Sequence, residues 1–526
     1  MRLCWLTVFS ILACCYFGNG LRILGLFPLN GKSHWAMGQQ LFLALAKRGH
    51  QVDVITHFLM KNPPPNYNQL SIENSLPPAV NSMHANDAVQ FKNLDLSLLV
   101  QMTGTRICET LNHENVQKII KNPPNDPPYD LIIVEMFMSP CYLAFGRHLN
   151  VPIVGVVTAP FTDWLHVPAG NSYNPAVTPS IFSSYPERMD FWQRLMNTVM
   201  VIKIGTTING KLEVQQRSYV KNHFNLDVSM EDLIKDVSLY LVNSHHSLNG
   251  VKPSVPSIIE VGGLHVSEKA DPNSPEVEKW LNESTHGCIL FTFGSMVRIE
   301  TFPKAFVEIL YATFEKIAPV RVLMKVAKKE DLLPGLPKNV MIQPWFSQIS
   351  VFKHKNLKAF ITHGGLMSFQ EALYFGIPVV GIPIFGDQSN NMEKAARKNI
   401  GVTLGSPENV TVETLSHALN KVLYDETYRE NMKKTTELFR DRPMKAIDTA
   451  IFWVEYVHRH KNALQSPAIY LTWWQQNLLD VYGFLFACFA AVLFVVILVV
   501  RKLMRLFLGC KSCSKDSKTS ESKKQK

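Results

Sequence analysis

The sequence predicts an α/β fold: two Rossmann-like halves with a ligand cleft between them, followed by one transmembrane helix. Three observations carry this. Residues 21–56 read as strand, helix, strand, the unit from which a parallel sheet is wound. A second β/α series begins near residue 286. Val481 to Val500 is then an uncharged apolar run of 20 residues. At about 1.5 Å per residue it matches a hydrocarbon core about 30 Å thick.

In order along the chain, Leu21 to Phe27 reads as a buried strand and Pro28 to Ser33 as a loop. Trp35 to Lys47 has the apolar spacing of a helix, with Gly49 placed to end it. Gln51 to Thr56, Leu131 to Val134 and Ile153 to Val157 are further strands. Pro63-Pro64-Pro65 and Pro123-Pro124 punctuate residues 58–125, which with 160–185 read as the irregular, variable surface. In the second series Cys288 to Phe293 is a strand ending in Gly294-Ser295, and Phe302 to Ile317 is a helix with Pro303 in its first turn. Strands are expected at Val320 to Lys325, Lys358 to Ile361 and Ile377 to Ile382, and a helix at Leu366 to Phe375. From Thr411 to His460 the pattern is mostly helical. The expected domains are 21–245 and 246–460, with a juxtamembrane segment 461–480, a span 481–500 and a tail 501–526.

The ends set the topology. Arg2 followed by apolar Leu3 to Phe17 and Gly18-Asn19-Gly20 reads as a secretory signal over residues 1–20. Of the chain's +10 charge, most sits after the span, where nine Lys or Arg face two acids. The body is therefore close to neutral, which excludes a nucleic-acid partner, and the positive residues after the span place the tail in the cytosol. Lys523-Lys524-Gln525-Lys526 resembles a dilysine retrieval signal of endoplasmic reticulum (ER) membrane proteins. Only Cys108, Cys141 and Cys288 fall in the lumenal body, so one disulfide at most is expected, with the pairing left open. Asn282 and Asn409 head glycosylation sequons on the lumenal side.

Residues 345–401 are the most specific stretch. Trp345, Gln348, His363-Gly364-Gly365, Glu371-Ala372, Gly376-x-Pro378, Pro383 and Asp387-Gln388 resemble, in order and spacing, the signature of the UDP-glycosyltransferases. The likeness extends to Phe291–Met296 and Val261–His265, and its flavour is insect-like in HGGLMSFQE and NPAVTPSIF. This resemblance implies a GT-B-like pair of domains, the first for the acceptor and the second for a UDP-sugar.

The chemistry of the residues agrees. His363-Gly364-Gly365 lies between a strand and a helix, where free N–H groups and the helix dipole face a diphosphate. Ser295 and Ser368 can add hydroxyls. Trp345 offers a face for uracil, Gln348 a hydrogen bond to the nucleotide, and Glu371 an acceptor for the ribose hydroxyls. Asp387 and Gln388 can read the sugar, and Asn391 belongs to the same element. Across the cleft, Gly31-Lys32-Ser33-His34-Trp35 resembles the family's catalytic histidine segment. A neutral His34 would take the acceptor's proton, and Glu135 would hold its other nitrogen. Many relatives carry Asp there, so the extra methylene of Glu135 changes the reach. No tightly bound metal or other cofactor is expected, because backbone donors would receive the diphosphate.

Lys252 stands before Pro253 where vertebrate relatives often carry an Arg implicated in holding glucuronate. A Lys lacks the bidentate fork. With the insect-like signature this favours UDP-glucose as donor, UDP-glucuronate being the alternative. The expected reaction is inverting transfer of a hexose to a hydroxyl of a small lipophilic acceptor, for conjugation or detoxification, at the ER membrane. Competing readings are a non-catalytic lipophile-binding relative and an ER transferase acting on lipid or protein. Acceptor identity and homo-oligomerisation stay open.

Overall fold

Branched apolar runs make the inner strands, and these are buried on both faces because helices cover both sides of a parallel sheet. The computed structural model describes residues 20–90 and 95–520. The first sheet has seven parallel strands in the order β3-β2-β1-β4-β5-β6-β7. These are β1 Arg22–Phe27, β2 Gln51–Thr56, β3 Tyr67–Ser71, β4 Leu131–Glu135, β5 Ile153–Val157, β6 Val237–Val242 and β7 Ile258–Glu260. The second has six parallel strands in the order β10-β9-β8-β11-β12-β13. They are β8 Cys288–Thr292, β9 Arg321–Lys325, β10 Val340–Gln343, β11 Leu357–Thr362, β12 Val379–Gly381 and β13 Gly401–Thr403.

Both sheets reverse direction at one point, between β1 and β4 and between β8 and β11. Loops leaving the carboxyl ends of those strands splay apart and open a crevice. His34 follows β1 and Glu135 ends β4; Ser295 follows β8 and His363 follows β11. The topology thus explains why residues far apart in the chain share a site.

Five helices matter for placing it. Helix α1, Lys32–Lys47, begins three residues before the expected start, so His34 lies in its first turn rather than in a loop. The backbone bond from Trp35 N to Gly31 O closes that turn, and Trp35, Met37, Leu41, Phe42 and Leu45 pack inward. Gly38 is required where α1 crosses β1, since a Cβ there would fall 2.6 Å from Phe27 Cε1. Helix α2, Phe191–Phe224, was not foreseen. A capping box of Asp190 and Gln193 starts it. Its inner face buries Ile204, Ile208, Leu212 and Val220, while Phe191, Trp192, Leu195, Met196, Val199 and Ile202 remain exposed. With apolar residues on both faces, no single stripe stands out in the sequence. Helices α3, Leu366–Tyr374, and α4, Gln388–Arg397, flank the second site. Helix α5, Ala446–His460, returns to the first half, packing Ala450, Val454 and Val457 into the core shared by α1 and the first sheet.

The expected boundary at 245/246 falls short of β7, which pairs with β6 and so belongs to the first sheet. Residues 58–125 are also more regular than expected, holding β3 and several short helices. Cys108 and Cys141 form a disulfide, and Cys288 is buried and free. Among the described residues, those up to Ser466 form one compact unit and those from Pro467 a second. The second contains two short helical turns, Pro467–Tyr470 and Trp473–Gln476, and then the long helix Leu479–Ser520, whose 29-residue stretch Leu479–Phe507 is long and apolar enough to cross a membrane. The expected signal residues 1–19 and the dilysine end at 523–526 lie outside the described residues.

Candidate active site

The His34 ring sits over the carboxyl end of the first sheet. Its Nδ1 is 2.7 Å from Glu135 Oε1 and 2.8 Å from the Thr158 hydroxyl. Glu135 is only 3 % exposed. A buried carboxylate at that distance selects the tautomer with hydrogen on Nδ1, leaving the lone pair on Nε2. The extra methylene of Glu135 therefore does not prevent the contact. Phe137 meets the imidazole edge to face at 5.2 Å between ring centres, giving the pocket an apolar wall. Thr158, just beyond β5, was missed by sequence reasoning. Its signal was a polar residue ending an apolar strand next to β4.

In the second half, Gly364 carries φ +87°, and a Cβ there would fall 2.7 Å from Met392 Cγ and 2.9 Å from Gln388 O. Only glycine fits this turn without strain. Gly365 then begins α3 with no side-chain cap, so the first N–H groups of that helix are open to an anion. His363 is half-buried, and desolvation together with the charge of Lys325 lowers it to about 4, so it is neutral near pH 7.

Trp345 is 51 % exposed, unusual for an indole, and presents a free face. Gln348 donates to the Ser368 hydroxyl at 3.0 Å and also to Glu371. Both amide hydrogens are thereby engaged, and Gln348 offers its carbonyl to a ligand. Burial raises Glu371 to about 7, opposed by the Gln348 hydrogen bond. His265, also missed, donates to Met367 O at 3.1 Å and lies 3.7 Å from Glu371.

Asp387 and Asn391 are joined. Asn391 Nδ2 donates to Asp387 Oδ2 at 2.9 Å and to Gly364 O at 3.0 Å, so it orients both rather than pointing outward. Gln388 Oε1 accepts from the backbone of Ile384 and Phe385 at 2.9 and 3.0 Å, which leaves its NH2 as the outward donor. Burial raises the Asp387 carboxyl, and the hydrogen bond from Asn391 and the charge of Lys394 act against this. Ser295 follows β8 with its carbonyl accepting from Asn81 N at 2.8 Å. Asn282 and Asn409 are both exposed.

Two parallel Rossmann-like sheets, one bearing the His–Glu pair and the other the glycine-rich turn before α3, have the architecture of a GT-B glycosyltransferase. The solved structure of the glycotransferase of kitacinnamycin shares this fold, with TM-score 0.55 and 17 % identity over 83 % of this chain and 99 % of that one. The family model for "UDP-glucoronosyl and UDP-glucosyl transferase" matches residues 24–514. The chain belongs to this UDP-glycosyltransferase family, and it is an enzyme of UDP-sugar glycosyl transfer. UDP-glucosyltransferase 2 of Dactylopius coccus is 36 % identical, over 94 % of this chain and 95 % of its own. UDP-glucuronosyltransferase 1A9 of Mus musculus is 30 % identical over 93 % of each.

Proposed function

We propose that the chain transfers glucose, in preference to glucuronate, from its UDP-sugar to a hydroxyl of a small lipophilic acceptor, inverting the anomeric centre. His34 Nε2 takes the hydroxyl proton as the oxygen bonds to the anomeric carbon, and the bond to the diphosphate breaks. Glu135 holds the imidazolium, and the N–H groups at the start of α3 receive the diphosphate charge. Trp345, Gln348, Ser368 and Glu371 hold the nucleoside, Ser295, His363 and Gly365 shape the diphosphate cradle, and Asp387, Gln388 and Asn391 serve the sugar.

The observation that carries this reading is the 2.7 Å pairing of His34 with Glu135 at the carboxyl end of the first sheet. The preference for glucose is supported by Lys252. Burial lowers its amine, and three carboxylates of the protein, Asp163, Glu260 and Glu187, act in the other direction. An amine on which three carboxylates of the protein already act is poorly suited to receive a fourth from a glucuronate. The Phe137 wall beside His34 suits a phenol or another apolar alcohol.

The same reading places the body in the ER lumen, after signal cleavage, with the apolar helix as anchor and the basic tail cytosolic. The Cys108–Cys141 disulfide suits an oxidising compartment, and the two exposed sequons suit glycosylation. Purified protein offered UDP-glucose and UDP-glucuronate with a panel of phenols should release UDP faster from UDP-glucose and give β-glucosides. Equal or faster turnover of UDP-glucuronate would refute the donor assignment.

A further inference from the structure

A segment of the first half reaches over the rim of the second beside the nucleotide loop. Asn81 N donates to Ser295 O at 2.8 Å, Met83 N to Met296 O at 3.1 Å, and Arg298 N to Met83 O at 3.1 Å. Met83 and Val297 thereby form an isolated parallel bridge outside both sheets. Ala85 and Ala88 are buried in the hydrophobic core of the second half, so the strap is anchored beyond the bridge as well.

Lys325, the last residue of β9, closes the arrangement. It is 6 % exposed. Its Nζ donates to Asn81 Oδ1 at 2.6 Å and to Gly294 O at 2.8 Å, and lies 5.5 Å from the centre of the Trp345 ring. Three successive carbonyls, those of Gly294, Ser295 and Met296, are thus held by the strap or by Lys325. A trans peptide holds its N–H antiparallel to its C=O. Tethering the Gly294 and Ser295 carbonyls therefore fixes the N–H groups of Ser295 and Met296, in the loop at the carboxyl end of β8 where a diphosphate is expected.

We propose that Asn81 and Lys325 are positioning residues for the nucleotide sugar: a latch by which the acceptor half holds the diphosphate-facing loop Gly294–Met296 and the indole of Trp345 in register. The proposal rests on the UDP-sugar reading of the site. The latch ties donor binding to the relative placement of the halves, and UDP leaves more readily when it is undone.

The test compares Asn81→Ala, Asn81→Asp and Lys325→Met with the wild type. The measurements are KM for UDP-glucose, the inhibition constant of UDP, kcat and KM for the acceptor. Loss of one hydrogen bond to a buried charge weakens binding by about tenfold. Asn81→Ala and Lys325→Met should therefore raise donor KM and the UDP constant together by about that factor, leaving acceptor KM unchanged and kcat within about threefold. Asn81→Asp, which still accepts from Lys325, should recover most of the loss. The latch is overturned if donor KM and the UDP constant of Asn81→Ala stay within about twofold of wild type, or if only kcat falls. Wild-type protein that releases no UDP from any UDP-sugar would overturn the donor reading and the latch together. An active wild type with unresponsive variants overturns the latch alone.

Discussion

On the proposed mechanism the imidazole of His34 can act as base because its other nitrogen is committed. Glu135 and Thr158 both lie within 2.8 Å of Nδ1, so the ring cannot flip or change tautomer without leaving a buried carboxylate unpaired. Glu371 is a second carboxylate of the site, and burial raises its carboxyl to about 7. An acid raised on folding stabilises the fold fully below its ordinary value of about 4.3, and that contribution is lost as pH rises through about 7. The ionised form is the one suited to accept two ribose hydroxyls. The KM for UDP-sugar should therefore fall as pH rises through about 7, and Glu371→Gln should flatten that profile. Over the same range the unliganded wild type should lose thermal stability relative to Glu371→Gln. A donor KM independent of pH in the wild type would remove Glu371 from the ribose site.

At the scale of the element, the cradle depends on one backbone conformation. Gly364 is left-handed, and a methyl group there meets Met392 and the carbonyl of Gln388. Forcing an L-residue into that region costs roughly 1–2 kcal/mol before the clash is counted. Gly364→Ala should raise donor KM by at least about tenfold with little change in acceptor affinity; unchanged donor KM would show that the loop does not face the diphosphate. This cradle was legible in the sequence because its glycines fall between a buried strand and an amphipathic helix. The His34–Glu135 pairing was legible for a similar reason, since both residues leave neighbouring strands at the point where the sheet reverses. The start of α1 was not, because Gly31 caps it without a side chain that would mark it. Helix α2 was hidden by its exposed apolar face. The strand β7 was hidden by its length, three residues in a proline-punctuated stretch.

For the molecule as a whole, the halves are interleaved rather than simply adjoined. Helix α5 follows the second sheet in sequence yet packs against the first, and the Asn81–Met83 strap leaves the first half to pair with the second. Such long-range crossings leave no periodic trace, which is why the sequence suggested a clean boundary at 245/246. On the proposed reading one half supplies the acid–base pair and the other the anion cradle, and the account rests on that division of labour. The most direct measurement is made on His34→Ala: UDP affinity by calorimetry alongside UDP release from UDP-glucose with a phenolic acceptor. Affinity should stay within about twofold of wild type while turnover falls by about 10² to 10⁴. Near-normal turnover in that variant would contradict the account.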